Sequence, residues 1–150
     1  MNLSKVLWVK TGWSDYYRGG PVDGAFAWLE NQRGGAKEGR GHEAFNFMPG
    51  PDGTYYGYTP PNPGDAVPSS KSPGGWTVIF LAKQHKKTGI HVVGWYEDAT
   101  LHGEYLPRSP AAAAAGEPDF GYTITSRSAW FVPPEQRNDP FSHISVGQAK

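Results

Sequence analysis

The sequence predicts a mainly β (β-rich α+β) fold, a small curved β-barrel with one or two short helices, formed by a single domain over residues 1–150. Three observations support this prediction. The length is typical of one domain. Twenty glycines and fourteen prolines disfavour long helices. Six or seven short β-prone runs are separated by turn sequences, and closing such strands into a barrel hides their edges.

Aromatic side chains dominate the apolar content of the chain. There are six Trp, eight Tyr and seven Phe, against nineteen Leu, Ile and Val together. Because one aromatic residue can bury on the order of 150–250 Å², we predict an aromatic core. Trp8, Phe80 and Phe131 fall in β-prone runs and are predicted to fill the barrel.

The first quarter of the chain predicts one strand and one short helix. Residues 5–10 alternate apolar side chains on both faces, which predicts a strand buried on both sides. Residues 11–24 have the composition of turns. Residues 25–31 allow one or two helical turns, with Asp23 as a candidate N-cap. Residues 33–42 are glycine-rich and basic, which is typical of a flexible loop.

The remaining chain predicts a hairpin, a meander and a last pair of strands. Residues 45–58 contain two short β-like runs around a Pro-Asp-Gly turn. Residues 76–105 contain the strongest β pattern, in which Gly94 indicates a bulge or a close backbone approach. Residues 122–132 alternate as one or two strands. The proline-rich segment 59–75 and the alanine-rich segment 107–118 are predicted to be insertions between these elements.

The sequence lacks the motifs of nucleotide binding and of nucleophilic catalysis, so we expect no catalysis by this chain. Glu97 and Asp98 are the only adjacent carboxylates, and neighbours in a regular strand point to opposite faces. With no cysteine and five scattered histidines, neither a metal nor a cofactor is expected. The chain has no apolar stretch of membrane-spanning length and no secretory signal, so we expect a cytoplasmic protein without a membrane partner.

The segment 41–47 is one of two candidate binding clusters, and the other is formed by the aromatic residues of the 11–24 loop. Segment 41–47 places His42, Glu43 and Asn46 between a basic loop and two phenylalanines. An amide both donates and accepts hydrogen bonds, which suits the edge of a planar heterocycle held between rings. In the alternative interpretation, Asn46 caps a turn and His42 is solvated. The aromatic residues of the 11–24 loop likewise either close one end of the barrel or face a ligand.

Zero net charge conceals two basic loops. One holds Arg33, Lys37 and Arg40, and the other holds residues 83–87, a run of three lysines, a histidine and a glutamine. Loops of this kind are either solvated hairpin tips or contacts to phosphates around an inserted base.

Several segments resemble known families. Residues 46–58, residues 76–105, and the WFVPPEQR and FSHISVGQ segments resemble the N-terminal domains that precede HNH-type nuclease domains in bacterial restriction-like proteins. The opening LWVKTGWSDYY, the NF dipeptide and VVGWY also resemble the PUA-like superfamily of EVE, YTH, ASCH and SRA-type domains.

This resemblance implies a PUA-like barrel that reads modified bases in double-stranded DNA and directs a downstream nuclease to modified foreign DNA. Readers of this kind hold a flipped nucleotide between aromatic walls. The pocket residues expected here are Trp13, Asn46, Tyr56, Trp76 and Trp95. The residues expected to contact phosphates are Arg40, Lys83, Lys86 and Lys87. Two alternatives stay open, an RNA-binding PUA-like module and a protein-interaction domain that uses segment 59–75.

Overall fold

The computed structural model describes residues 4–19, 22, 42–59, 67–84, 89–107, 121–137 and 143–144. Four predicted features lie wholly or largely outside these ranges. They are the helix at 25–31, the basic loop up to residue 41, part of the proline-rich segment (60–66) and the alanine-rich segment from residue 108.

The described fold is mainly β, which confirms the predicted class. Its helical segments are two short 3-10 turns, at His42–Phe45 and Pro134–Gln136. The strands are β1 (Val6–Thr11), β2 (Tyr55–Gly57), β3 (Trp76–Ala82), β4 (Ile90–Leu106), β5 (Tyr122–Ser126), β6 (Ser128–Phe131) and β7 (His143–Ile144).

All seven strands belong to one sheet, in the order β1-β3-β4-β5-β2. Strands β6 and β7 both pair with β4 outside this path. The β1–β3 pair is parallel and every other pair is antiparallel. Over the described residues, β1 and β2 are the two ends of the order and do not pair, so the sheet there is curved around β4 but is not closed into the predicted barrel.

Strand β4 connects the two parts of the sheet. Residues 90–97 lie between β3 on one side and β6 and β7 on the other, and residues 100–106 pair with β5. A strand that passes from one set of partners to another in this way usually bends at a bulge.

The bulge in β4 lies at Glu97 and Asp98. Val78 pairs with Tyr96 and Trp76 pairs with Ala99, so β4 has one extra residue there. Asp98 has a left-handed φ of 49°. A bulge re-aims side chains, and both carboxylates are exposed here. The prediction that Glu97 and Asp98 point to opposite faces is therefore wrong, because it assumed a regular strand.

The core is aromatic, as predicted, and Phe47 lies at its centre. The Phe47 ring centroid is 5.5 Å from that of Phe80, 5.6 Å from that of Tyr96 and 5.8 Å from that of Tyr17. Edge-on contacts of this kind stabilise aromatic pairs beyond their buried area. The close backbone approach predicted at Gly94 is confirmed, because a Cβ there would overlap the Phe47 ring.

Strand β1 forms where predicted, but it is not buried on both sides. Val9 is in the core, whereas Trp8 points to the other face and is 43% exposed. The prediction that Trp8 fills the interior is wrong, because its cross-strand neighbour Ile79 packs against the smaller apolar cluster of Leu81 and Ile90 instead of the main core. Phe80 is fully buried, and Phe131 is partly buried against the core.

The predicted hairpin over residues 45–58 is half right. The turn forms, since the N–H of Gly50 donates to the Thr54 carbonyl and Pro49 bridges to Tyr55. Phe45, however, ends a 3-10 turn and residues 46–47 continue as a turn instead of forming a strand, and β2 pairs with β5. The local sequence favoured the nearest partner, whereas the pairing that forms is long-range.

Candidate functional site

The 3-10 turn at residues 42–45 is fixed to the loop that follows β1. The N–H of Gly19 donates to the Ala44 carbonyl at 2.8 Å, and the N–H of Phe47 donates to the Tyr17 carbonyl at 3.1 Å. The N–H of Asn46 closes the turn on the Glu43 carbonyl at 3.1 Å. These bonds hold the polar side chains of the turn inside the molecule.

Asn46 is 0% exposed and only partly satisfied. Its Oδ1 accepts a hydrogen bond from the N–H of Tyr58 at 2.8 Å, and its carbonyl accepts one from the Tyr96 hydroxyl. Its Nδ2 has no hydrogen-bond partner among the described residues. The predicted alternative, that Asn46 caps a turn, does not describe this arrangement, because the Oδ1 bond joins Asn46 to Tyr58, twelve positions further along the chain. An unsatisfied buried amide donor costs about 1–3 kcal/mol.

Glu43 is a buried carboxyl group in the same 3-10 turn. It is 1% exposed. Burial raises the pKa of the Glu43 carboxyl above its usual value, although the N–H groups of Glu43 and Gly12 oppose the shift. Burial disfavours the charged form, and a group perturbed in this way is a candidate functional residue.

Three rings form one wall beside Glu43. The His42 ring lies 4.8 Å from the Tyr58 ring and 5.2 Å from the Tyr105 ring, and the two tyrosine rings are 6.2 Å apart at 84°. The Nδ1 of His42 lies 2.9 Å from the Tyr105 hydroxyl, and the N–H of Gly121 donates to that hydroxyl at 2.8 Å. Gly121 is required there, because a Cβ would overlap the Tyr105 ring.

The pKa of the Tyr58 phenol depends on its burial and on the neighbouring Glu43 carboxyl. Burial, together with the charges of Glu43 and Tyr105, raises the pKa of Tyr58 to about 12. The electrostatic effect of Glu43 on Tyr58 places these two polar groups near each other. We name His42, Glu43, Asn46, Tyr58 and Tyr105 together the Asn46 site.

Trp13, one of the five predicted pocket residues, is 5% exposed. The Cζ atom of Arg137 lies 4.6 Å from its ring centre, and His91 packs edge-on against it at 6.3 Å. Its Nε1 donates to Asp15. In this arrangement the Trp13 ring packs within the protein, and a role in ligand binding stays a prediction.

The other predicted rings lie on different parts of the sheet. Tyr56 packs edge-on against Tyr122 at 4.9 Å. Trp76 begins β3, where its Nε1 donates to the Ser72 carbonyl. Trp95 points to the outer face, since its neighbour Tyr96 points into the core. Asn46 is therefore hydrogen-bonded to Tyr58, two positions after Tyr56, whereas Trp95 lies on the face of the sheet opposite the main core.

Of the four residues predicted to contact phosphates, Lys83 is the one that the structure describes. Arg40, Lys86 and Lys87 lie outside the described residues. Lys83 is exposed and follows β3 at the edge where the loop after β1 begins. Arg18, which the sequence interpretation did not single out, is exposed between the two residues that bond to the turn at 42–47.

Sequence reasoning also missed Tyr58 and Tyr105. They are separated by 47 positions and by an insertion, so no local pattern relates them. The TYYGY run could have indicated Tyr58, because its last tyrosine comes directly after the end of strand β2.

Known protein families, curated proteins and solved structures add nothing to this description. No family model matches the chain, and neither the curated proteins nor the solved structures include a match. Fold and site together define a mainly β protein with a buried polar site walled by aromatic rings. Among the described residues, no three His, Cys, Asp or Glu side chains are grouped as metal ligands. No described helix has the length and apolar character of a membrane span.

Proposed function

We propose that this protein is a DNA-binding module that takes a modified nucleobase, flipped out of the duplex, into the Asn46 site. The observation that carries the proposal is the buried Nδ2 of Asn46, which has no hydrogen-bond partner among the described residues. Because Asn46 is 0% exposed, the site would have to open for the acceptor atom of a ligand to reach this donor and satisfy it. The edges of nucleobases present such acceptors in planar rings.

The surroundings of Asn46 suit a planar polar ligand. His42, Tyr58 and Tyr105 pack against one another, and Tyr105, which is 44% exposed, would offer a ring surface to a base. Glu43, whose pKa is raised, can donate a hydrogen bond when it is protonated and accept one when it is not. A site that pairs a fixed amide donor with an adaptable carboxyl group discriminates among base edges more strongly than an apolar pocket does.

The energies involved are of the right size. Extracting a base costs a few kcal/mol. Stacking on aromatic side chains returns about 1–3 kcal/mol per base. Exposed Arg18, which flanks the residues bonded to the site, would contact a phosphate, and Lys83 at the neighbouring sheet edge would add a second contact.

The biological part of the proposal rests on the sequence resemblance. The PUA-like and nuclease-associated segments support a module that directs a nuclease to modified foreign DNA. The base-binding part rests on the Asn46 site and can be tested without the nuclease.

The test is binding of fluorescently labelled duplexes, followed by anisotropy at several salt concentrations. We expect a duplex with one modified base to bind more tightly than the plain duplex, and both affinities to fall steeply with salt. Asn46→Asp keeps the acceptor for the Tyr58 N–H and removes the donor, so it should abolish the preference. Tyr105→Ala should weaken binding by about 1–3 kcal/mol.

Tyr16→Ala is the matched control for Tyr105→Ala, because Tyr16 is the other large exposed tyrosine and contacts Phe131 instead of the site. It should leave the affinity within about twofold. Urea unfolding of each variant shows whether it is folded. Tighter binding of single-stranded RNA would favour the RNA-binding alternative, and no binding at low salt would contradict nucleic-acid recognition.

A further inference from the structure

A second candidate site lies on the other side of the β4 bulge. A groove of about 430 Å³ opens between β4, β5 and the start of β6. Its lining includes Glu97, Asp98 and Arg127, together with hydroxyl side chains such as those of Thr100 and Ser128. None of these residues belongs to the Asn46 site.

The bulge is what places two carboxylates in this groove. In a regular strand, Glu97 and Asp98 would point to opposite faces. The extra residue in β4 brings both to the solvent side, and both line the groove. The side chains of Asp98, Thr100 and Ser128 make no hydrogen bond to the described part of the chain. The groove therefore presents acceptors and hydroxyls that are available to a ligand.

A pair of tryptophans adjoins the groove. Trp95 on β4 and Trp130 on β6 are cross-strand partners, with ring centroids 6.3 Å apart and ring planes at 23°. Trp130 is 55% exposed. The next cross-strand pair on the same face is Glu97 and Ser128, both in the groove lining. Successive residues on one strand face are about 7 Å apart, so one small ligand reaches both features.

The two features are linked directly. The Nε1 of Trp95 donates to Oε1 of Glu97 at 3.4 Å. This bond orients the indole and leaves the second carboxylate oxygen of Glu97 for another donor. The arrangement thus combines an apolar ring surface with fixed acceptors at its edge, which is how a pocket orients an amphipathic ligand.

We propose that this groove binds the ring of a neutral hexopyranose sugar. The C–H face of such a ring packs on indole, and its neighbouring hydroxyls donate to carboxylates and accept from a guanidinium. Two carboxylates and one arginine give the lining a net negative charge, which disfavours a phosphate. Two carboxylates without a third ligand among the described residues also make a poor metal site.

The same sugar ring can come from two sources, a free saccharide or a hexose carried on a modified DNA base. Only the second source rests on the proposed function. Binding of methyl glucoside, methyl galactoside and maltose, followed by NMR titration, tests the groove alone. A duplex with glucosylated hydroxymethylcytosine, compared with the same duplex without glucose, tests the DNA-borne source.

We expect at least one neutral sugar to bind, and Trp130→Ala and Asp98→Asn each to weaken its binding at least tenfold. Asparagine tolerates the left-handed conformation of residue 98, so this variant isolates the charge. Trp8→Ala is the control, since Trp8 is exposed on the same face but separated from Trp95 by Ile79. It should change the affinity less than twofold.

Three results would overturn the proposal: no binding of any of the three sugars, unchanged sugar binding by folded Trp130→Ala, or tighter binding of inorganic phosphate than of sugar. Its failure is distinguishable from failure of the proposed function. Sugar binding without DNA binding would support this groove and contradict the base-reading role. Duplex binding that depends on Asn46, together with no binding of any free sugar, would support the base-reading role and contradict this groove.

Discussion

The guanidinium of Arg137 lies on the indole of Trp13, with its Cζ atom 4.6 Å from the ring centre. Arg137 is fully buried, and its three donor nitrogens bond to the carbonyls of Val132, Ser14 and Asp15. It therefore connects the loop after β1 to the turn after β6.

Replacing Arg137 with methionine should lower the free energy of unfolding by about 3–5 kcal/mol, because three buried carbonyls lose their charged donor. Urea unfolding measures this. Arg127→Met is the control, since Arg127 is exposed and makes a single bond to the Asp52 carbonyl. It should cost less than about 1 kcal/mol. Equal losses in the two variants would contradict the structural role of Arg137.

Gly94→Ala should lower the free energy of unfolding by about 3 kcal/mol, the upper end of what overpacking typically costs. The added Cβ would overlap the Phe47 ring and would lie 2.6 Å from the Trp130 carbonyl oxygen, which is backbone and cannot move aside. Gly74→Ala is the matched control, because nothing lies within 4 Å of a Cβ there. Thermal unfolding compares them. A Gly94 variant as stable as the Gly74 variant would show that this contact is absent.

The strands themselves were predictable because their signals are local. Residues 76–82 and 122–131 combine β-branched and aromatic side chains between turns, and both runs form strands. What the sequence could not show depends on long-range pairing. The parallel alignment of β1 with β3 and the bulge at Asp98 arise from partners distant in the chain.

The candidate site was predictable only in part, for the same reason. Asn46 was singled out from its own segment, and the structure shows it buried with a donor left over. Trp95 and Tyr96 are adjacent, and the alternation of a strand fixes that they point to opposite faces, but not which one points inward. The structure buries Tyr96 and leaves Trp95 on the outer face.

Glu43→Gln should make stability less dependent on pH. The pKa of Glu43 is raised by burial, so the folded chain holds this proton more tightly than the unfolded chain does. The stability gained from protonated Glu43 is present below the usual carboxyl pKa and is lost as pH rises through the folded value. The glutamine variant should therefore gain stability relative to the wild type as pH rises through this range.

Chemical denaturation at a series of pH values measures this difference. Glu135→Gln serves as the control, since Glu135 is exposed. It should follow the wild-type profile. A Glu43 variant that loses stability relative to the wild type with rising pH would mean that the carboxylate has a partner that stabilises its charge.

Tyr58→Phe should remove a phenol that ionises at a higher pH than an ordinary tyrosine does. With the pKa of Tyr58 raised to about 12, the folded chain favours the neutral phenol. Its contribution to stability is present below pH 10 and is lost as pH rises from 10 towards 12. Stability should therefore fall less steeply over that interval in the variant. Phenolate absorbance of wild type minus variant should show a group titrating above the range of exposed tyrosines, and a difference curve centred near pH 10 would contradict the burial of Tyr58.

The most direct test of base reading is an affinity panel of duplexes identical in sequence and length. The duplexes carry plain, methylated, hydroxymethylated or glucosylated cytosine, methyladenine, or a phosphorothioate link at one position. We predict that one base modification binds at least tenfold more tightly than the plain duplex at matched salt, and that Asn46→Asp removes this difference while remaining folded. Equal affinities across the panel would contradict the account.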